Sequence, residues 1–403
     1  MERKKFTVSF FHDTVLLCDS NGNHYSIHFP YHFWQRYLSC FKKVIVSTRC
    51  NNYETCGVKN KKGYEQSNGE DVRHLSIVSY KKLYDLFFDY KKIIEEIRNA
   101  LINSDCAIIR MPSIIGILAC RESLKLKKTF GVEVVANAFE GYWNYGNIAG
   151  KLLAPIIHFI NKYYIKKAPI VAYITSEYMQ KIYPSNGIAF ADVANISLEV
   201  PSHDVLANRI VKLVNYTNDS IVLIGMIGAL NVKFKGHATA IRAVKALIDK
   251  GVNCKLQIVG EGDSSNLADL CYKLGISKNV QFLGTIPSGK CVFDWMDKLD
   301  FYVQPSITEA HGRAVIEAMS RGLAVVASDI GGLKESLCKT ERFQVGDYEE
   351  MSNIIYDIIQ NQDRRIELAY RNYEYSKKFH EENIEEQRKL FLNELVMNVE
   401  KNG

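Results

Sequence analysis

Short apolar runs, each closed by a glycine or a polar turn and followed by a helical spacing, fill the second half of the chain. Residues 220–228 (SIVLIGMIG) read as a buried strand, and 237–250 (HATAIRAVKALIDK) as a helix with apolar positions at 241, 244, 247 and 248. The alternation continues through strand CKLQIVG, helix SSNLADLCYKLG, strand VQFLG, helix KCVFDWMDKL, strand FYVQPS, helix RAVIEAMSRG and strand AVVAS. Ser264 and Ser265 are candidate caps of the second of these helices. This rhythm predicts an α/β fold, a parallel sheet with helices on both faces. The strands are apolar throughout because both faces of such a sheet are covered.

The first half alternates less cleanly. Its candidate strands are FTVSFF, TVLLCDS, KVIVST, CAIIRM, EVVANA and IVAYIT, with a helical stretch over 80–101 and a polar loop or hairpin over 51–72. A second α/β domain fits. The polar run near 197–218 is the expected boundary, giving domains 1–200 and 206–371, and the tail over 366–398 reads as one or two amphipathic helices.

Composition narrows this picture. The 403 residues are 47% apolar, enough for two or three domains with substantial cores. A net charge of +6, from 51 basic and 45 acidic residues, is too mild for a nucleic-acid partner, and no dense arginine run or RNA-binding aromatic motif accompanies it. Ten cysteines without a CxxC pair, and an N-terminus lacking a long apolar segment, predict a cytoplasmic protein with free thiols. No apolar run approaches the roughly 18 residues of a spanning helix. A soluble or peripherally attached chain is expected.

The candidate chemistry gathers at the ends of the second-half strands, where open α/β sheets bind ligands. In GALNVKFKG, Gly228 and Gly236 let backbone approach a ligand, and Lys233 and Lys235 bring positive charge to a helix start that already favours anions. The alternative is a solvated loop with two ordinary lysines. Gly260, Glu261 and Gly262 form a turn after the next strand, suited to a ligand crevice or to any tight βα turn. The backbone of Gly284 to Ile286 can pair with the edge of a flat base. Residues 306–335 (SITEAHGRAVIEAMSRGLAVVASDIGGLKE) carry most weight. Glu309 falls on the loop before a helix beginning near Gly312, and Glu317 lies more than a turn inside it. A carboxylate accepts two hydroxyl hydrogens at once, which suits sugar diols. Glu309 is placed for a hexose, Glu317 for a ribose, with Arg313 and the helix start beside phosphate.

The ordered set GALNVKFKG, IVGEG, FLG and SITEAHGRAVIEAMSRGLAVVASDIGG resembles retaining family-4 glycosyltransferases of the GT-B fold, especially those building bacterial capsular and surface polysaccharides. The first half adds YLSCFKKVIVSTR, IIRMPSIIG and VAYITSEYMQKIYP. The resemblance implies two Rossmann-like domains facing a central cleft, with a C-terminal helix (about 372–403) crossing back to an acceptor-binding first domain. It implies Lys235 on the donor diphosphate, Glu309 on the transferred sugar, Glu317 on the ribose, and Gly312, Arg313 and Ala314 lining the phosphate corner. Two departures stand out. Ala229 follows Gly228 where many relatives carry arginine, a charge Lys233 can replace. Ala310–His311 stands where relatives often show Gly or Pro and Phe or Leu, so His311 either touches the sugar or packs.

Acceptor candidates are His12, Asp19, Gly22, Arg110 and Glu140, with a salt bridge as the alternative for Arg110. His24, His28 and His32 are spaced for one helical face, but Pro30 argues against a regular helix and no glutamate accompanies them, so no metal site is expected. Residues 149–167 are apolar and aromatic with a basic end, which fits either a membrane-surface segment, helped by Lys125, Lys127 and Lys128, or a core helix interrupted at Pro155.

The expected activity is retaining transfer of a hexose-type sugar from a UDP- or GDP-sugar to a glycan or lipid-linked acceptor. No cofactor or metal is required, because lysines and a helix start receive the leaving charge. The competing readings are a nucleotide-sugar epimerase and a non-catalytic carbohydrate-binding subunit of a polysaccharide assembly complex.

Overall fold

The computed structural model describes residues 5–55, 63–80, 83–144, 148–194, 196, 198–202, 204–217 and 220–402. The chain divides into two compact units, Met1–Asn195 with Glu385–Gly403, and Ile196–Ile384.

The second unit is built on a six-stranded, wholly parallel sheet. Its order is Val280–Gly284, Cys254–Val259, Val222–Ile227, Phe301–Gln304, Ala324–Ser328 and Arg342–Phe343. Chain order reverses between Val222–Ile227 and Phe301–Gln304, the switch point at which such sheets open a crevice. Ile224, Met226, Leu256, Ile258, Val303 and Val326 pack against Val244 and Leu247 of helix His237–Asp249 and Ile355 and Ile358 of helix Tyr348–Gln360. The expected serine cap of helix Ser265–Lys273 is replaced: the Asp263 carboxylate accepts the Ser265 N–H at 2.9 Å. The carboxylate thus takes one of the free amides of the first turn from outside the helix.

The first unit carries a mixed nine-stranded sheet among the described residues. Strand Thr7–Cys18 pairs in parallel with Lys43–Asn52 and Cys106–Met111, and in antiparallel with His24–Ser26. The two strands expected over 6–20 are one, with a register shift between His12 and Val15, because parallel pairing resumes beyond Asp13. The strand expected at 133–138 lies at Thr129–Val134; the Asn137 side chain accepts the Phe139 N–H and starts helix Ala138–Trp143 instead. The stretch 80–101 holds two helices, Leu83–Phe88 and Tyr90–Ile102. An additional helix, Ile114–Lys125, is anchored at its start by the Asp13 carboxylate, which accepts the N–H groups of Ile114 and Ile115. Pro155 does not interrupt helix Ile148–Lys167, which runs 20 residues and buries Gly150, Ala154, Asn161 and Ile165 on both sides of the proline.

The last helix, Glu381–Asn402, returns to the first unit, where Phe391, Leu392 and Leu395 join Phe10, Trp34 and Val46 in its core. Gly131 is required here, since a Cβ would stand 2.8 Å from the Phe391 ring. Residues 372–384 belong with the second unit, against the expected boundary, because helix Gln362–Ser376 packs there and Asn372 donates to the Leu323 carbonyl at 2.7 Å.

Candidate functional site

The switch point of the second unit opens on a cavity of about 1110 Å³ lined entirely by that unit. Eight residues singled out from sequence line it: Gly228, Lys235, Ile286, Glu309, Gly312, Arg313, Ala314 and Glu317. They converge because three strand-to-helix turns are drawn tight. Gly236 sits at φ 77°, where a Cβ would meet the Pro305 carbonyl oxygen at 1.8 Å. Gly260 presses on Gly228, where a Cβ would lie 2.0 Å from the Gly228 oxygen. Gly312, at φ 75°, starts helix Arg313–Met319.

Two ion pairs stand in the cavity wall. The Lys235 ammonium donates to Glu309 at 2.9 Å, and the Glu309 side chain is 17% exposed. Behind Glu309 runs a buried relay: Tyr302 donates to Gln304 at 2.8 Å, Gln304 to Ser306 at 2.7 Å, and both Gln304 and Ser306 approach the same Glu309 oxygen, at 3.5 and 3.4 Å. The second pair is Arg313 to Glu317 at 3.1 Å, one helical turn apart. Burial raises the Glu317 carboxyl above its ordinary value, and Arg313 opposes that rise. The two glutamates therefore differ in partners: one is held by a lysine and a polar relay, the other, 18% exposed, lies beside an exposed arginine.

His237, a residue sequence reasoning passed over, opens helix His237–Asp249 and is buried. Burial lowers its pKa, so its ring is neutral and Nε2–H can donate to the Gly228 carbonyl 3.1 Å away, fixing the glycine turn under Lys235. Gln304 and Ser306 were also passed over. Their only signal was position, at the C-terminal end of the Phe301–Gln304 strand. Lys212, Arg321 and Lys290 line the cavity but pair with Asp300, Asp297 and Asp294.

Other expected residues fall outside the cavity lining. Lys233 is exposed on the one-turn helix Lys233–Lys235. Gly260, Glu261 and Gly284 form neighbouring turns, with the Gly260 N–H donating to the Gly284 carbonyl at 2.8 Å. His311 is buried with its ring edge-on to Phe379 at 5.0 Å.

In the first unit, Arg110 is buried, 3.5 Å from Glu133 and over the rings of Phe29 and Phe33; Glu133 also accepts from Tyr37. His12 meets the same Phe29 ring, and its Nδ1 accepts the Thr14 N–H. Burial, then the Arg110 and Arg49 charges, push its pKa down to about 3. Gly22 occupies the turn between strands Thr7–Cys18 and His24–Ser26, whose Asp19 carboxylate accepts the N–H groups of Asn21 and Asn23. Glu140 accepts from Tyr178 at 2.6 Å. Among the described residues one group could hold a metal ion, and it is not the three-histidine spacing. Cys18, His24 and Cys50 place ligand atoms within 4.8 Å of one another. His24 Nε2 there faces the Ser76 hydroxyl at 3.1 Å.

Comparison with known proteins agrees with this layout. The family model described as glycosyl transferases group 1 matches residues 211–378, which contain the cavity's glycine turns and both glutamates. Protein CapJ of Staphylococcus aureus is 34% identical over 92% of this chain and 91% of its own length. The capsular polysaccharide biosynthesis glycosyltransferase CapM of the same organism is 25% identical over 46% of this chain and 47% of its own. Among solved structures, Anabaena HepE in complex with UDP-glucose superposes with a TM-score of 0.63 at 14% identity, covering 97% of this chain and all of that one, a likeness of fold.

Proposed function

Because the chain belongs to the glycosyl transferases group 1 family and is a glycosyltransferase of the GT-B fold, we propose that it transfers a hexose-type sugar, with retention, from a nucleoside diphosphate sugar to a growing capsular or other surface polysaccharide. The observation carrying this reading is the pairing of Lys235 with Glu309 in the wall of the second unit's cavity. An ammonium has three donors, so Lys235 can keep Glu309 and still receive a phosphate oxygen. Glu309, braced by Gln304 and Ser306, keeps acceptor capacity for sugar hydroxyls. Glu317, one level away, takes the ribose diol.

In this reading the glycosidic carbon–oxygen bond to the diphosphate breaks, and the charge growing on the leaving oxygen falls on Lys235 and the amides near Gly312. The acceptor hydroxyl attacks the anomeric carbon on the face the diphosphate leaves, and its proton passes to that phosphate oxygen. Neither glutamate acts as a hydrolytic acid or base, and no metal is required. UDP is the first donor base to test, since HepE was solved with UDP-glucose. The first unit holds the acceptor, a glycan or lipid-linked saccharide. The reaction belongs to the cytoplasm, at or near the membrane's inner face.

The test is thermal stabilisation by UDP, GDP, ADP and their sugars. One nucleoside diphosphate at about 100 times its Kd should raise stability by about 2.7 kcal/mol. No stabilisation by any of them overturns the donor assignment.

A further inference from the structure

Helix Ile148–Lys167 is apolar on its outer side as well as its inner one. It buries Gly150, Ala154, Asn161 and Ile165 and half-buries Leu153, Ile157, Ile160 and Tyr164. Ile148, Leu152, Ile156, Phe159 and Tyr163 recur at steps of four, four, three and four, and at about 100° per residue they form one stripe roughly opposite the buried side. That stripe is in solvent: Ile148 is 79% exposed, Leu152 69%, Phe159 67%, Ile156 54% and Tyr163 52%. A helix serving only as core would place these five side chains inward. The helix packs on one side only, and burial does not account for these five side chains.

Charge states what covers the stripe. The helix contains no Asp or Glu and four lysines, Lys151, Lys162, Lys166 and Lys167. The same helical geometry puts Lys151 and Lys162 along one margin of the stripe, Lys167 along the other, and Lys166 at its C-terminal end. Two amphipathic aromatics mark its ends. Trp143, 44% exposed, lies under the Lys151 ammonium at 5.7 Å, and Tyr163 is capped by the Lys167 ammonium, 2.6 Å from its hydroxyl. Large apolar groups flanked by long cationic stems are what an anionic bilayer surface takes up, chains buried and ammoniums at the phosphates. A second copy of the chain is a poor partner. An isologous contact would set four lysines against four with no carboxylate on either helix. No described helix is long and apolar enough to cross a membrane, so the fit is to a surface.

We propose that helix Ile148–Lys167 is a docking face for anionic phospholipid, lying in the bilayer interface through its exposed stripe. Of the lysines once expected to assist, Lys125 pairs with Glu122 and Lys128 donates to the Ser104 carbonyl, while Lys127 is exposed and adds to the charge of this helix. The use of such a face, to meet an acceptor held at the membrane, rests on the proposed function; the face itself does not.

Co-sedimentation of the full chain with vesicles of about 30% phosphatidylglycerol in phosphatidylcholine, and with pure phosphatidylcholine, tests it. The wild type should pellet with the anionic vesicles only, and release as salt rises. Leu152→Glu with Phe159→Glu, and separately Lys151, Lys162 and Lys166→Gln, should each weaken binding at least about tenfold while melting temperature and nucleotide stabilisation stay unchanged. Absence of pelleting, binding equal on both vesicles, or binding indifferent to both variants overturns the proposal. So does a concentration-dependent dimer abolished by Leu152→Glu with Phe159→Glu when no vesicle binds. Nucleotide stabilisation is read in the same samples, so loss of the donor reading and loss of the docking face are separable.

Discussion

Charged side chains near strand ends meet opposite fates in the two units. In the second, Lys235, Glu309, Arg313 and Glu317 pair within a cavity wall and stay reachable. In the first, Arg110 and Glu133 pair where each side chain is 10% exposed, enclosed by Phe29, Phe33 and Tyr37. The difference lies in the turns that follow. Glycines at 228, 236 and 312 pull backbone aside and leave space above the second sheet. In the first, Phe33 and Tyr37 of helix Tyr31–Leu38 close over the pair. A charge at a strand end becomes a site when small residues keep it open, and a core bridge when aromatic residues close over it.

Breaking one pair in each unit separates these roles. Lys235→Ala and Glu309→Ala should each lower sugar transfer by roughly 100- to 1000-fold, the scale for losing one group aimed at developing charge. Folding should survive Lys235→Ala, because Gln304 and Ser306 still face Glu309. Turnover near wild type in both purified variants, by diphosphate release, would remove both from the mechanism. Arg110→Met should instead act on stability, costing about 3 kcal/mol in denaturant unfolding, since it leaves Glu133 charged and buried. Adding Glu133→Leu should recover most of that loss. If the single variant is as stable as wild type and only acceptor affinity suffers, Arg110 is a binding residue and the contrast between the units fails.

The same contrast explains what was readable in advance. The second unit's strands are continuous apolar runs between glycine turns, a local pattern, and Gly228, Lys235, Glu309 and Glu317 reach one cavity because each closes or follows such a strand. Contacts without local signature stayed hidden. His237 bonds back to Gly228 across the loop closed by the Gly236 turn, and Gln304 and Ser306 reach Glu309 because the chain bends back after the strand end, which no apolar period records. In the first unit, strand Thr7–Cys18 continues past an irregularity that looked like a break, because pairing with Lys43–Asn52 lies far along the chain. The exposed stripe of helix Ile148–Lys167 has a clear period, yet a period fixes only that one face differs from the other. Which face meets solvent came from the packing of Gly150 and Ala154.

The smallest expected effect is the most discriminating, because stability and binding should move in opposite directions. The folded chain holds Glu317's proton more tightly than the unfolded chain, since burial raises its pKa. Its contribution is therefore most favourable below the unfolded value and is lost as pH rises through the higher folded one. At neutral pH the ionised carboxylate subtracts from stability. Glu317→Gln removes the charge at nearly constant shape, so it should gain up to about 1 kcal/mol at pH 7, with the gain vanishing near pH 4. Nucleotide binding should run the other way. A carboxylate that clasps a ribose diol must be ionised, so wild-type affinity should fall as pH drops toward the raised value, and Glu317→Gln should bind more weakly at pH 7 without that pH dependence. Titration calorimetry with UDP across pH, beside thermal melts of both proteins, reads both quantities. A variant less stable at pH 7 with unchanged affinity would mean that Glu317 serves the helix through Arg313 and not the ligand.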